Sequence, residues 1–191
     1  MNKKFSFGLA ALLVCAFLLL SCDNSSSRIE ANSHNAKGLM LEAAGDYVGA
    51  IAEYNKAMSV NGSDYNCYLY RADAFYNLGD YDKALDDYKH YTTVVPEDEY
   101  IQRIVAITYV KIGQIYNIKK EFKDAVASFN KAESLGRNKD LQLYEGLGDA
   151  YAALGKSQDA VTSYQTALDK SMYLPSSDEQ RIKEKIKAIS G

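Results

Sequence analysis

The sequence predicts an all-α fold: a stack of four helix pairs closed by one further helix. Three observations predict it. A stretch recurs as AAGDYVGAIAEY (43–54), NLGDYDKALDDY (77–88), IKKEFKDAVASF (118–129) and ALGKSQDAVTSY (153–164). Its marker alanines, Ala50, Ala84, Ala125 and Ala160, stand 34, 41 and 35 residues apart. Only two prolines occur in 191 residues, so long helices can run unbroken.

The first 21 residues fall outside that stack. Lys3 and Lys4 precede an uncharged run, FSFGLAALLVCAFLLL (5–20), and then Ser21-Cys22. The run is 16 residues, short of the roughly 20 that a spanning helix needs. A basic start, an apolar stretch and small residues at its end describe an export signal. A single-pass anchor is the alternative, but DNSSSR follows with no cluster of positive charge. Leu19-Leu20-Ser21-Cys22 resembles the lipobox of bacterial lipoproteins. That resemblance implies cleavage between Ser21 and Cys22, a thioether-linked diacylglycerol on Cys22, and an acyl chain such as palmitate on its new amino group. Two or more chains anchor stably, since each buried CH₂ contributes about 0.8 kcal/mol. Residues 22–30 then read as a lipidated polar tether, whose eight residues DNSSSRIE reach at most about 28 Å.

Removing residues 1–21 deletes two lysines and no acid. The 22 basic and 25 acidic residues become 20 and 25, a formal charge of −5. No basic stripe appears, which argues against nucleic acid as a partner. Cys15 leaves with the signal and Cys22 is alkylated, so Cys67 alone keeps its thiol. No disulfide within the mature chain follows. Cys67 reads as a small buried hydrophobe.

Each repeat has a helix–turn–helix reason. Gly45, Gly79 and Gly155 stand where a first helix must end, in the left-handed conformation that Gly tolerates. In the second helix an aliphatic residue follows the marker alanine, and an aromatic comes four after it: Tyr54, Tyr88, Phe129, Tyr164. That spacing makes one face. Ala57, Ala132 and Ala167 extend it with a small side chain. The first helices read Tyr144-x-x-Leu147-Gly148-x-x-Tyr151, Tyr109-x-x-Ile112-Gly113-x-x-Tyr116 and Tyr68-x-x-Arg71-Ala72-x-x-Phe75. The first copy keeps Gly38 and Leu41 but carries His34 and Lys37 where apolar residues are expected. These residues resemble the tetratricopeptide repeat, W-x₂-L-G-x₂-Y…A-x₃-F…A…P at a period of 34. Tyr replaces the Trp, and Pro96 alone fills the terminal proline.

The resemblance spans residues 31–171 and implies a right-handed α-α superhelix. Its repeats are 31–64, 65–98, 106–139 and 141–171, with seven residues inserted near 99–105. Stacking is required in any case, because one helix pair cannot bury its apolar stripe alone. The insertion allows the third copy's first helix to begin near 97 and run to about 118. Tyr91 replaces a packing alanine, so its bulk must push neighbours apart or point out. Residues 172–191 close the stack as a capping helix. Ser176 and Glu179 form a capping box, Ile182, Ile186 and Ile189 make one apolar face, and Arg181, Lys183, Lys185 and Lys187 cover the rest. A membrane-surface helix is the alternative for this segment.

Chemistry is sparse. His34 and His90 lie in different repeats without metal-ligand spacing, and no GxSxG or phosphate-cradling glycine loop occurs. No cofactor beyond the lipid is expected, and no enzyme. Asp86-Asp87 reads as a solvated outer face. In the family that the repeats resemble, the first helices line a groove that holds extended or helical peptides. The candidate lining residues here are Asn35, Leu39, Glu42, Leu69, Asp73, Tyr76, Asn77, Val110, Gln114, Asn117, Glu145, Asp149 and Ala152. The lining is acidic and amide-rich, suited to a segment carrying Lys or Arg or to a mixed polar–aromatic one; a solvated, empty groove is the bland alternative. The expected function is a lipid-anchored adaptor of the bacterial envelope, facing the periplasm from the inner or outer membrane. Its partners would be another envelope protein or peptide segment and, through the lipid, the membrane; a homo-oligomer is compatible. Two other readings stand beside it: a solute-uptake accessory with a tyrosine-lined ligand pocket, and a surface adhesin.

Overall fold

The computed structural model describes residues 25–136, 140–170 and 175–190, and the regular structure among them is helical. Helix α1 covers residues 25–43. It is followed by α2 (Tyr47–Val60), α3 (Asn66–Leu78), α4 (Tyr81–Val94), α5 (Glu99–Ile118), α6 (Phe122–Ser134), α7 (Leu141–Ala153), α8 (Ser157–Lys170) and α9 (Ser176–Ser190). The export signal, the cleavage point and Cys22 lie outside the described residues. The chain divides into two compact units, up to Asp87 and from Tyr88 onward, so α4 gives its first turns to one and its last to the other.

The turns inside the helix pairs share one mechanism. Gly45, Gly79 and Gly155 take φ of 81°, 84° and 72°. Each left-handed residue donates its amide three residues back, and the next residue donates five back: Gly45 to Glu42 and Asp46 to Leu41, Gly79 to Tyr76 and Asp80 to Phe75. Those paired bonds satisfy the carbonyls that a helix end leaves open. The residue after the glycine also starts the next helix, for Asp46 caps α2 by accepting from the Gly49 amide at 2.9 Å. The third copy lacks the glycine. Lys120 stands there instead, with φ of 62°, and makes the same bonds through Asn117 and Tyr116.

In the first unit, Ala31 of α1, Ala57 of α2 and Cys67 of α3 are packed together without solvent, and Ala50, Tyr54 and Ala74 form a second apolar cluster. In the second unit one cluster runs from Val110 of α5 through Phe129, Leu147 and Tyr164 to Ile182 of α9. Close helix approach depends on the glycines opposite the aromatics. A Cβ on Gly113 would sit 2.8 Å from the Phe129 ring, and one on Gly38 or Gly148 would collide with Tyr54 or Tyr164. Tyrosine serves in this core because its hydroxyl reaches a carboxylate at the rim: Tyr54 donates to Glu42 at 3.0 Å and Tyr164 to Asp149 at 2.6 Å.

Four expectations change, and one pair of alternatives narrows. Residues 25–30, assigned to the tether, are the first turns of α1; Ala31 buries one face there and gives the helix something to hold. Of the two outcomes open to Tyr91, pointing out is excluded, because it is fully buried. Asp87 is not solvated. It is 6% exposed and takes a two-pronged bond from Arg71, Nε and Nη2 each at 2.7 Å. Ser176 is not the cap of α9, because the Pro175 carbonyl already accepts from the Asp178 and Glu179 amides. Proline suits that place, since it has no amide to leave open. The basic residues of α9 do not simply cover its exterior; two of them reach across to acids of α7, as described below.

The inserted residues 99–105 are the first two turns of α5. That helix has 20 residues where α3 and α7 have 13 each. Asp98 caps it, accepting from Tyr100 and Ile101 amides. Val105 is buried, Ile101 and Ile104 are half-buried, and Tyr100 is 71% exposed. Arg103 and Ala106 share an open cleft of about 260 Å³ with Leu135 and Gly136 at the end of α6.

Candidate functional site

The first helices of the pairs, α1, α3, α5 and α7, carry every predicted lining residue, and the structure sorts them. Asn35 is core rather than lining: it is 6% exposed, donates to Asp64 at 3.0 Å and accepts from the Cys67 thiol at 3.3 Å. Burial pushes that thiol up to about 11, so Cys67 stays protonated and inert at neutral pH. Leu39 is exposed. Glu42 is half-buried and joins three helices, accepting from Tyr54 of α2 and from Asn77 of α3 at 3.2 Å. Leu69, Asp73 and Tyr76 are half-buried on α3, and Asn77 is exposed. The Tyr54 and Tyr70 rings lie 5.8 Å apart, and Tyr76 meets Tyr81 edge-on at 5.7 Å. Burial, then the Glu42 carboxylate, push the Tyr54 hydroxyl far up, which keeps it a donor.

In the second unit Val110 is buried in the core cluster and lines no surface, while Ala152 is half-buried and packs against that cluster. Gln114 reaches Gln142 at 3.4 Å. Asn117 donates to the Gly146 carbonyl at 2.8 Å, tying α5 to α7. Glu145 and Asp149 already have their cations. Arg181 grips Glu145 through Nε at 2.9 Å and Nη2 at 2.8 Å. Lys185, one turn on, meets Glu145 at 2.8 Å and Asp149 at 2.7 Å. Burial alone would raise the Glu145 carboxyl, but Arg181 and Lys185 outweigh it and hold it below the usual range. Burial opposes the charge on Lys185, yet Asp149 and Glu145 raise it. The i, i+4 spacing of Arg181 and Lys185 is the sequence signal for this contact, legible once α9 is known to pack on α7.

A second polar centre sits in the first unit and was not foreseen. Glu53 of α2 is buried and accepts from Lys56 at 2.7 Å, His34 at 2.7 Å and Lys37 at 3.2 Å. Those bonds, Lys56 first and His34 next, hold its carboxyl down at about 2. His34 and Lys37, the two misfits of the first repeat, are therefore partners of one buried acid. Their signal was present: Glu53 follows Lys37 by the same 16 residues that separate Asp87 from Arg71.

Among the described residues no group of three or more His, Cys, Asp or Glu is placed to hold a metal ion. No described helix is long and apolar enough to cross a membrane.

Known proteins resemble the chain as follows. A family model described as Tetratricopeptide repeat matches residues 36–98 and 119–175. Small glutamine-rich tetratricopeptide repeat-containing protein 2 of Mycosarcoma maydis is 25% identical over 138 residues, 72% of this chain. The chain spans 37% of that relative's length. Among solved structures, one of MamA superposes with a TM-score of 0.68 at 18% identity, covering 80% of this chain and 81% of that one. MamA 41-end from Desulfovibrio magneticus RS-1 superposes with 0.67 at 16% identity, over 84% of this chain and 93% of that one. At such identities the superpositions speak for the fold alone.

Proposed function

Since the chain belongs to the tetratricopeptide-repeat family and is built as a protein-binding scaffold, we propose that it is a lipid-anchored adaptor of the bacterial envelope, taking a basic segment of a partner protein on the faces of its first helices. The observation that carries the binding half is what fills Glu145 and Asp149. A basic pair one helical turn apart on α9, Arg181 and Lys185, satisfies both carboxylates of α7. Glu42 and Asp73 present the same chemistry on α1 and α3, with Tyr70 and Tyr76 beside them to take an aliphatic stem or a cation over a ring. A partner with Lys or Arg at helical spacing meets that surface; an acidic tail meets like charge.

The anchoring half rests on Leu19-Leu20-Ser21-Cys22. The adaptor would face the periplasm, its signal removed, and would do no chemistry. Asp23, next to Cys22, is the candidate inner-membrane retention signal in a cell that has an enteric-type lipoprotein sorting system.

Photo-crosslinkers placed at Leu39 and Asn77 in cells test the binding half. Capture of one protein that is lost on Asp73→Lys supports it; capture unchanged by that reversal would remove the charge argument. Palmitate labelling tests the anchor. Cys22→Ser should abolish it and leave unprocessed precursor, and label that persists in that variant would sink the lipoprotein reading.

A further inference from the structure

Helix α1 has one side that the fold does not use. At roughly 100° per residue, Ile29, Asn32, Ser33, Ala36, Met40 and Ala43 fall within about 60° of one line along the helix, and all six are exposed. Ile29 is 70% and Met40 74% exposed. The strip has no charge from end to end, and the nearest charged residues of α1, Arg28, Glu30 and Lys37, stand roughly 80–100° off its centre line. Val48, second residue of α2, is exposed as well. By contrast the apolar face of α9 is spent: Ile182 is fully buried, with Ile186 and Ile189 against the same cluster.

We propose that the uncharged face of α1 lies on the lipid surface. The inference rests on the anchor proposed at Cys22, and the chain length decides the occupant. α1 begins at residue 25, so only two residues lie between its first turn and Cys22, and the three Cα-to-Cα steps reach at most about 11 Å. A lipidated Cys22 therefore holds the helix start at the headgroup layer, without a tether that clears it. A helix of 19 residues is about 28 Å long. Standing upright it would leave Met40 in water; lying down it sinks Ile29, Ala36 and Met40 together, at the depth of about 5–10 Å typical of interfacial helices. Arg28 at the near end is placed to reach anionic headgroups while its stem stays at the interface. Exposed Ile29 and Met40 on one uncharged strip suit such a contact, and uncharged Asn32 and Ser33 cost little there.

The chain contains no Trp, so single introduced tryptophans report depth without background. The chain from Cys22 onward is coupled at neutral pH to a maleimide-bearing phospholipid in vesicles of phosphatidylethanolamine and phosphatidylglycerol, a fraction of them with brominated acyl chains. Cys22 reacts selectively, because Cys67 is buried with its thiol pushed up. Ile29→Trp and Met40→Trp should shift to shorter emission wavelengths and lose intensity to the brominated chains. Asp86→Trp, exposed on α4, should do neither. Water-like, unquenched emission from Met40→Trp on vesicles that carry the coupled chain through flotation overturns the proposal. So does a blue shift without vesicles that accompanies a doubled mass, which would give the face to a second copy. The chemical linkage makes this result independent of whether cells acylate Cys22, which the palmitate experiment decides separately.

Discussion

The two units solve one packing problem with opposite chemistry. In the first, a cation on the first helix meets a buried acid 16 residues later, Lys37 with Glu53 and Arg71 with Asp87. In the second, the same places hold Ile112 with Ser128 and Leu147 with Ser163, all buried. Both serines bond back to carbonyls of their own helix, at Asp124 and Asp159, and ask nothing of the first helix. The repeat thus prescribes a place and a volume there, not a polarity. Charge is accepted when its counterion arrives on the same helix pair, and apolar atoms serve when it does not.

The strongest way to break this equivalence is Arg71→Leu. It strands Asp87 without its fork and should cost about 3 kcal/mol, read by denaturant unfolding. Adding Asp87→Ser reproduces the pair used in the fourth repeat and should restore most of the loss. A double variant as unstable as the single would show that the two chemistries are not exchangeable.

Next comes the apolar end of the second unit. Ile182→Ala should cost about 2–3 kcal/mol, whereas Arg181→Ala, removing a cation that is half-exposed, should cost under about 1 kcal/mol. The reverse ranking would mean that α9 is held by charge.

A smaller effect appears only in acid. The Glu53 carboxyl is depressed from 4.5 to about 2 in the folded chain. Its contribution is complete above the unfolded value and is lost as pH falls from about 4.5 through about 2. Stability of the wild type should decline across that window, and Glu53→Gln should decline less steeply. Identical slopes would deny Glu53 its share. Smallest is Lys120→Gly, which relieves a left-handed lysine and should raise stability by about 0.5–1 kcal/mol. Both turns in the first unit already have glycine there.

The parts of the fold that follow from local rules were legible. The left-handed glycines, the marker alanines and the aromatics four residues on all stand where spacing put them, because each depends on its own helix pair. What stayed hidden depends on what lies across a contact. Asp87 read as solvated because Asp86 beside it is; only Arg71, on another helix, makes it a buried acid. Glu145 and Asp149 read as lining because nothing in their own helix reveals the basic pair of α9. Ser176 looked like a cap because the pattern fits, but the Pro175 carbonyl one residue earlier already starts the helix. Of the predicted lining, Asn35 and Val110 failed for the same reason: periodicity assigns a face, while a neighbour decides whether that face is wet.

The 16-residue ion pairs have a consequence for how such a chain can change over generations. Each cation and its acid sit inside one helix pair, so a duplicated or recombined gene segment that carries a whole helix pair moves each buried acid together with its cation. Inserted elsewhere, it brings no orphan charge for the new context to absorb. A break point between the two helices would instead deliver a buried acid to a neighbour that has no answer for it. Viable exchange points in such a gene should therefore fall between pairs, in segments such as 61–65 and 95–98, and be missing from the tight Gly-Asp turns within them.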